Sequence, residues 1–367
     1  MKMNSIRKER IFVKILSNSL WDLPSCSSLR YFWNFGSILG LCLLTQIMTG
    51  LFLAFHYSSY SRESFASVIS IIRETWSGWL IRLVHINGAS VFFIFTYLHL
   101  FRGLFYQRRR YKGVWSTGVS IIILLMGISF LGYVLPWGQI SYWAVAVITN
   151  LLSVIPFVGD QIVNWVWGGF SVEAPTLNRF YALHFLAPFI LTALVVTHLA
   201  NLHSQGSRNP LGLKRNIDKI EFHPYFTIKD VLFIFLVFIS AFSLSTFYPF
   251  LLGDAVNNIP ANPIQTPAHI QPEWYFLPSY AILRALPRKR AGVLALLLSV
   301  TIYLILPAYN TKFSPKFSSW RIFTYWIFVT SLSFLLLMGA MPAETPFIRI
   351  SQVGSILFFS SVLLLNL

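Results

Sequence analysis

Four histidines set the terms for this chain. His85 and His99 stand fourteen residues apart in the run RLVHINGASVFFIFTYLHLFRG, and His184 and His198 stand fourteen apart in RFYALHFLAPFILTALVVTHLANLH. Neither interval holds an acidic residue. Fourteen residues of α-helix span about 21 Å and close to four turns, so the two imidazoles of each run fall on nearly one face at two depths. A bilayer core is about 30 Å thick, and polar groups inside it are costly and concentrate where there is function. Two such helices facing each other form two histidine pairs, one above the other. Opposed neutral imidazoles are a natural axial pair for a haem iron; the bland alternative is four buried imidazoles hydrogen-bonded to backbone or to one another.

The apolar setting is not local. Of 367 residues, 56% are hydrophobic and 11% charged, which places the chain among polytopic membrane proteins. A net charge of +16 raises the question of nucleic acid. The basic residues sit in short connections between apolar runs, however, where membrane lipid headgroups and topology account for them, so no nucleic-acid partner is expected. Cys26 and Cys42 have no metal-like spacing and read as free thiols.

Hydropathy predicts eight spans, at about 33–56, 77–104, 114–135, 179–203, 228–249, 290–309, 320–341 and 347–366. The expected fold is therefore all-α, with a four-helix bundle at 33–204 and four further helices within 228–367. Residues 1–32 read as an amphipathic surface segment, and 205–227 as a loop between the fourth and fifth spans. Two short amphipathic pieces are predicted at about 138–150 and 159–167. Of the 28 Lys and Arg, 18 fall on the side of the N-terminus, the RRRYK run at 108–112 and the 205–227 loop. The positive-inside rule puts that side on the negative face of the membrane.

Glycines repeat the histidine spacing. Gly36 and Gly50 in the first span, and Gly118 and Gly132 in the third, are again fourteen apart. Glycine alone can reflect ordinary close packing of membrane helices. Matched to the histidines in four helices, it points to flat cofactors at two levels. Arg82 and Arg102, each three residues from a histidine, can snorkel or can bind the carboxylates of such a cofactor.

Several stretches carry a resemblance: WNFGSILGLCLLTQIMTGLFLAFHY, GYVLPWGQISYWAVAVITNLLSVIPFVG, WVWGGFSVEAPTLNRFYALHF, FHPYFTIKD and PEWYFLPSYAILR. The chain closely resembles the mitochondrial cytochrome b family, the di-haem subunit of respiratory complex III. The resemblance implies a low-potential b haem on His85 and His184 and a high-potential one on His99 and His198. It implies ubiquinol oxidation at the outer membrane face and quinone reduction at the inner face, coupled to proton translocation. It further implies a Rieske iron–sulfur protein, cytochrome c1 and other complex III subunits as partners, a homodimeric complex, and a mitochondrial inner membrane with the N-terminus in the matrix.

For the outer quinone site the resemblance brings in PEWY at 272–275. There Glu273 is an acid at an apolar edge, where burial raises a carboxyl pKa and suits it to take a proton; an interfacial aromatic anchor is the plainer alternative. Phe130, Tyr133, Pro272 and Tyr280 match positions that line this pocket in the family. At the inner face, His203 and Asp230 match residues that hydrogen-bond a quinone and relay protons, with Trp33, Asn34 and Ser207 nearby. Without the resemblance, His203 and Asp230 read as solvated helix-end residues.

Three residues depart from the family pattern. Phe101 replaces a glycine beside His99, so its ring must point away from the cofactor or repack its edge. Ala144 replaces a glycine of the outer pocket, which implies reduced sensitivity to methoxyacrylate-type inhibitors through one added methyl. Pro278 implies that the helix after PEWY bends or starts late. Two other readings are a di-haem anchor of another quinone-linked dehydrogenase, which lacks PEWY and has fewer spans, and a secondary transporter. A transporter predicts ionisable residues along a core path and repeated interrupted helices. The acids here instead fall at span ends or in loops.

Overall fold

Apolar runs of about twenty residues can cross a membrane only if they satisfy their own backbone groups, and the helix is how a single segment does so. The computed structural model describes residues 13–14, 17–107, 111–207, 209–210, 218–308 and 318–365. Most of the predicted N-terminal surface segment before residue 17, the arginines at 108–110 and residues 211–217 of the predicted 205–227 loop lie outside the described residues. Among the described residues, the twelve α-helices that the fold turns on are α1 (Phe35–Ala54), α2 (Ser64–Arg73), α3 (Gly78–Phe105), α4 (Lys112–Val134), α5 (Gln139–Asn150), α6 (Gly159–Trp167), α7 (Ala174–Gln205), α8 (Tyr225–Phe247), α9 (Leu277–Ala285), α10 (Lys289–Thr301), α11 (Ser319–Ala340) and α12 (Phe347–Leu364). The expected all-α membrane fold is what the chain adopts.

Seven of these helices are long and apolar enough to cross a membrane. The sixth predicted span is built differently: α10 runs for 13 residues and then tightens into 3-10 turns at Ile302–Leu304 and Leu306–Ala308. Pro307 sits in the second of these turns, where it withholds an N–H from any continuing α-helix. The short pieces foreseen near 138–150 and 159–167 are α5 and α6. The amphipathic α2 was not foreseen.

Local sequence explains the ends that matter. A capping box of Glu173 and Thr176, with Pro175 in the first turn, starts α7. Gly168, at φ +76°, ends α6 in the left-handed conformation. A two-stranded sheet pairs β1 (Pro24–Cys26) antiparallel with β2 (Lys219–Glu221), tying the approach to α1 onto the approach to α8.

Two tightly packed helix pairs form the first half: α1 with α3, and α4 with α7. Backbones approach closely within each pair, while α3 and α7 scarcely approach one another. The result is a slot between the pairs. Helices α9 to α12 pack as a second body against the far side of α3 and α4. The core between them includes Leu100, Trp115, Ile282, Phe328 and Phe358. Phe101 belongs to this seam, stacked on Tyr97 at 6.1 Å between ring centres and set edge-on to Phe328 at 5.6 Å. Its ring thus packs toward α11, which is the outward-pointing alternative that the sequence left open. Pro278 lies in the first turn of α9, where a proline is tolerated; the helix begins only at Leu277, after a 3-10 turn at Trp274–Phe276.

Candidate functional site

Across the slot the four histidines meet in two pairs. Ring centres of His85 and His184 lie 6.4 Å apart with planes at 87°, and those of His99 and His198 lie 6.3 Å apart at 57°. A metal held between two imidazoles, with bonds of about 2 Å and about 1.2 Å from each ring nitrogen to its ring centre, sets the centres about 6.4 Å apart. Both pairs meet that spacing. Among the described residues no three His, Cys, Asp or Glu gather around a metal position. Each pair thus offers a metal two opposed imidazoles, a donor set that suits a haem iron.

Second partners orient the rings. Thr49 Oγ1 gives its hydrogen to Thr45 O at 2.7 Å and lies 2.8 Å from His85 Nδ1; Thr117 Oγ1 stands likewise toward Gly113 O at 2.8 Å and His198 Nδ1 at 3.0 Å. His184 Nδ1 donates to Ile128 O at 2.9 Å. In all three the Nδ1–H is engaged and Nε2 keeps its lone pair, the tautomer a metal requires. His99 differs, because Arg102 Nη2 lies 3.4 Å from its Nδ1 and offers a donor there. Arg102 also reaches Phe32 O at 3.4 Å and lies over the Trp33 ring at 5.6 Å.

Each glycine lies against the histidine of its own level. A Cβ at Gly36 would come 3.8 Å from His99 Cε1, one at Gly50 3.2 Å from His85 Cε1, and one at Gly118 3.1 Å from His198 Cε1. At Gly132 a Cβ would overlap His184 Cε1. The clearance foreseen for a macrocycle is thus used first by the imidazole edges. Glycine helices α1 and α4 are the packing partners of histidine helices α3 and α7, so each close approach falls within a tight pair.

A cavity of about 250 Å³ opens at the level of His85 and His184, the level that the distribution of basic residues is expected to set toward the outer face, and Gly50, Gly132 and Arg82 also line it. Tyr133, Glu273 and Tyr275 line the same cavity. Burial, with the Asp254 carboxylate nearby, pushes the Glu273 carboxyl up to about 7. Phe130, Ala144, Pro272 and Tyr280 do not line it. Phe130 packs edge-on to Phe180, and Ala144 is buried within α5. The Tyr280 hydroxyl donates to Ile270 O at 3.1 Å.

Residues that hold Glu273 in place were not evident from sequence. Tyr275 stacks flat on Phe93, 3.9 Å between ring centres, and its carbonyl accepts from Tyr97 Oη at 2.5 Å. Trp274 Nε1 donates to Ser90 Oγ at 3.1 Å. Three side chains of α3, Ser90, Phe93 and Tyr97, thus fix the PEWY turn between about one and three helical turns along from His85. Thr49 and Thr117 were also missed, although a signal existed: each immediately precedes a glycine of the fourteen-residue pattern.

At the opposite end of the bundle, His203 in the last turn of α7 is exposed, and Asp230 in the second turn of α8 is half-buried. Ser37 Oγ lies 2.8 Å from Asp230 Oδ1 and 2.7 Å from Asn34 O. Asn34 is buried, and Ser207 O accepts a weak bond from Cys26 Sγ at 3.8 Å. The structure brings Asp230 and Asn34 together through Ser37, and leaves His203 facing outward at the same end.

Residues 20–206 match the family model "Cytochrome b/b6/petB", and residues 260–359 match "Cytochrome b(C-terminal)/b6/petD". A chain of a hyperthermophilic respiratory complex III is similar over 98% of this chain and 96% of its own length, at 31% sequence identity and a TM-score of 0.90.

Proposed function

The chain belongs to the cytochrome b family, and as such it binds haem b and serves electron transfer in a respiratory quinol-oxidising complex; from that premise we propose that it holds two b haems, one on His85 and His184 and one on His99 and His198, between two quinone sites. The observation that carries this reading is the shared cavity, in which the outer histidine pair and Glu273 line one space. When bound, the haems supply two stacked one-electron centres, so that one electron of each oxidised quinol crosses the membrane while the other leaves to a Rieske iron–sulfur partner.

The chain's own residues do the rest. Gly36, Gly50, Gly118 and Gly132 let the imidazole edges lie against the backbone, and Thr49, Thr117 and Ile128 O hold the ligand tautomers. Arg82, facing the outer cavity, and Arg102 at the inner level are guanidinium partners for the haem carboxylates. Turning Arg102 to such a carboxylate releases His99 Nδ1 and completes the fourth ligand. Glu273 takes the quinol proton at the outer face, where its raised pKa lets it be a base near neutral pH and release the proton again. Tyr133 lines the approach beside it, while Phe130, Pro272 and Ala144 stand outside the cavity wall and act through the packing around it. At the inner face Asp230, held by Ser37, and His203 bind the quinone carbonyls and deliver protons, with Trp33, Asn34 and Ser207 at the rim.

In this reading the chain is the catalytic subunit of a quinol–cytochrome c reductase. It works with a Rieske protein, cytochrome c1 and other subunits in a homodimeric complex, with its N-terminus on the negative side, as in a mitochondrial inner membrane. Moving one charge across such a membrane involves about 2.3 kcal/mol per 100 mV, which makes the transfer between levels the energy-conserving step. Reduced-minus-oxidised spectra of the purified protein test the proposal. Two distinguishable b-type bands are expected, with one lost in His198→Leu; a single band in the native protein, or both bands retained in that variant, overturns it.

A further inference from the structure

Helix α9 leads directly away from the PEWY turn, and its last-turn arginine reaches back across to the end of α11. Arg284 Nη1 donates to Met341 O at 2.9 Å, and Nη2 donates to Met338 O at 2.8 Å and Gly339 O at 2.9 Å. These carbonyls belong to a helix C-terminus, which lacks its own donors and carries the negative end of the helix dipole. Arg284 makes no ion pair among the described residues, so the helix end is its electrostatic partner. The guanidinium also lies over the Tyr280 ring, 4.4 Å from its centre. From that ring the hydroxyl donates to Ile270 O, three residues before Glu273. Two further contacts stiffen the strut: Gln352 Nε2 donates to Ala285 O at 2.9 Å, and Gly339 sits so close to Leu277 O that a Cβ there would overlap it.

We propose that Arg284 is a positioning residue for the outer quinol site: clamped to the end of α11, it fixes the Tyr280 ring, whose hydroxyl anchors the loop at Ile270 and sets how deep Glu273 lies in its cavity. The inference rests on the reading of Glu273 as proton acceptor. It makes Tyr280 a loop anchor acting through its hydroxyl, in keeping with its absence from the cavity wall. Small displacements of a reacting group are expensive; about 1 Å can lower a rate about a hundredfold. A loosened loop also lets water reach the carboxylate and draws its pKa down toward the ordinary carboxylate range.

The test uses the intact complex carrying Arg284→Gln, Arg284→Lys, Tyr280→Phe or Glu273→Gln. It measures oxidation of a short-chain benzoquinol across a pH range that brackets neutrality, alongside the haem difference spectra. The titratable and charged groups that share the cavity with Glu273 are Tyr57, Arg82, His85, Tyr133, Tyr181, His184 and Tyr275, with Asp254 close by, and all are present in every variant. Arg284→Gln is expected to lower kcat by about tenfold with a smaller change in KM, and to shift the acid limb of the pH profile to lower pH, with both haem bands intact. Tyr280→Phe should give the same shift in milder form, and Arg284→Lys should restore most of the activity. Native kcat and pH profile in Arg284→Gln, or haem bands lost in step with activity, overturn the proposal. If Glu273→Gln leaves the pH profile unchanged, the reading of Glu273 falls and this inference with it. If that variant flattens the profile while Arg284→Gln leaves it in place, only the positioning role falls.

Discussion

The outer and inner halves of the bundle are built from the same parts and finished differently. Both offer a histidine pair at nearly the same spacing, each flanked by two glycines. At the outer level both imidazoles have Nδ1 committed to oxygen acceptors, the rings stand almost perpendicular, and the pair opens into a cavity that reaches a buried acid. At the inner level only His198 is set in this way, His99 faces the Arg102 guanidinium, and the acid nearby is held by a serine at the helix ends. The outer half is arranged around a buried acid, Glu273, in an apolar enclosure. The inner half keeps one histidine, His99, beside the Arg102 guanidinium.

Breaking the ligands is the harshest way to probe that contrast. His184→Leu should abolish the outer haem band and leave the inner, and His198→Leu the reverse, read by redox difference spectra. Next come the glycines. Gly132→Ala places a methyl on the His184 ring, and overpacking of this kind costs about 1 to 3 kcal/mol. It should lower outer-haem occupancy, whereas Gly36→Ala, with ordinary contact at 3.8 Å, should leave the inner haem intact. Equal effects of the two would erase the asymmetry.

The orienting hydroxyls give the next step down. Thr49→Val removes the acceptor of a ligand Nδ1–H, a change that typically costs 10- to 100-fold in metal affinity. Haem retention on dilution or extraction should fall at the outer level alone. Glu273 sharpens the chemical side of the comparison. Its value of about 7 lies above an ordinary carboxyl, so the base form grows as pH rises through neutrality, and quinol oxidation should rise with it and level off. By the same sign, Glu273 contributes less to folded stability as pH climbs from the unfolded carboxyl value toward 7, because the unfolded chain ionises first. Glu273→Gln should flatten the activity profile. The smallest effect is expected at the inner face, where Ser37→Ala removes one hydrogen bond worth about 1 kcal/mol and should weaken quinone reduction several-fold without touching outer oxidation.

Much of this is legible in the sequence, and the reason is periodicity. A helix converts a spacing of fourteen into two depths on one face, so His85 with His99, His184 with His198, and the matching glycines could be placed by counting. Hydropathy located the long helices for the same reason, since lipid enforces helix on any apolar run of sufficient length. At residues 290–309 it located an apolar helical segment but not its form, because after Thr301 the α-helix tightens into 3-10 turns, the second of which holds Pro307. It also passed over α2, whose ten residues are too short and too two-faced to register as a span.

What the sequence determined by itself was the ladder of donors: which residue types stand at which depth, and that two levels exist. Which nitrogen of each histidine is free, where the Phe101 ring turns, that Glu273 opens into the cavity of the outer pair, and that Tyr280 turns its hydroxyl to Ile270 were decided only by the tertiary structure. Each depends on contacts between segments far apart in the chain, as when Tyr97 meets Tyr275 or Arg284 meets Met338. Helical periodicity fixes where a residue stands along its own axis, while the neighbouring helix that packs against it fixes what its side chain can reach.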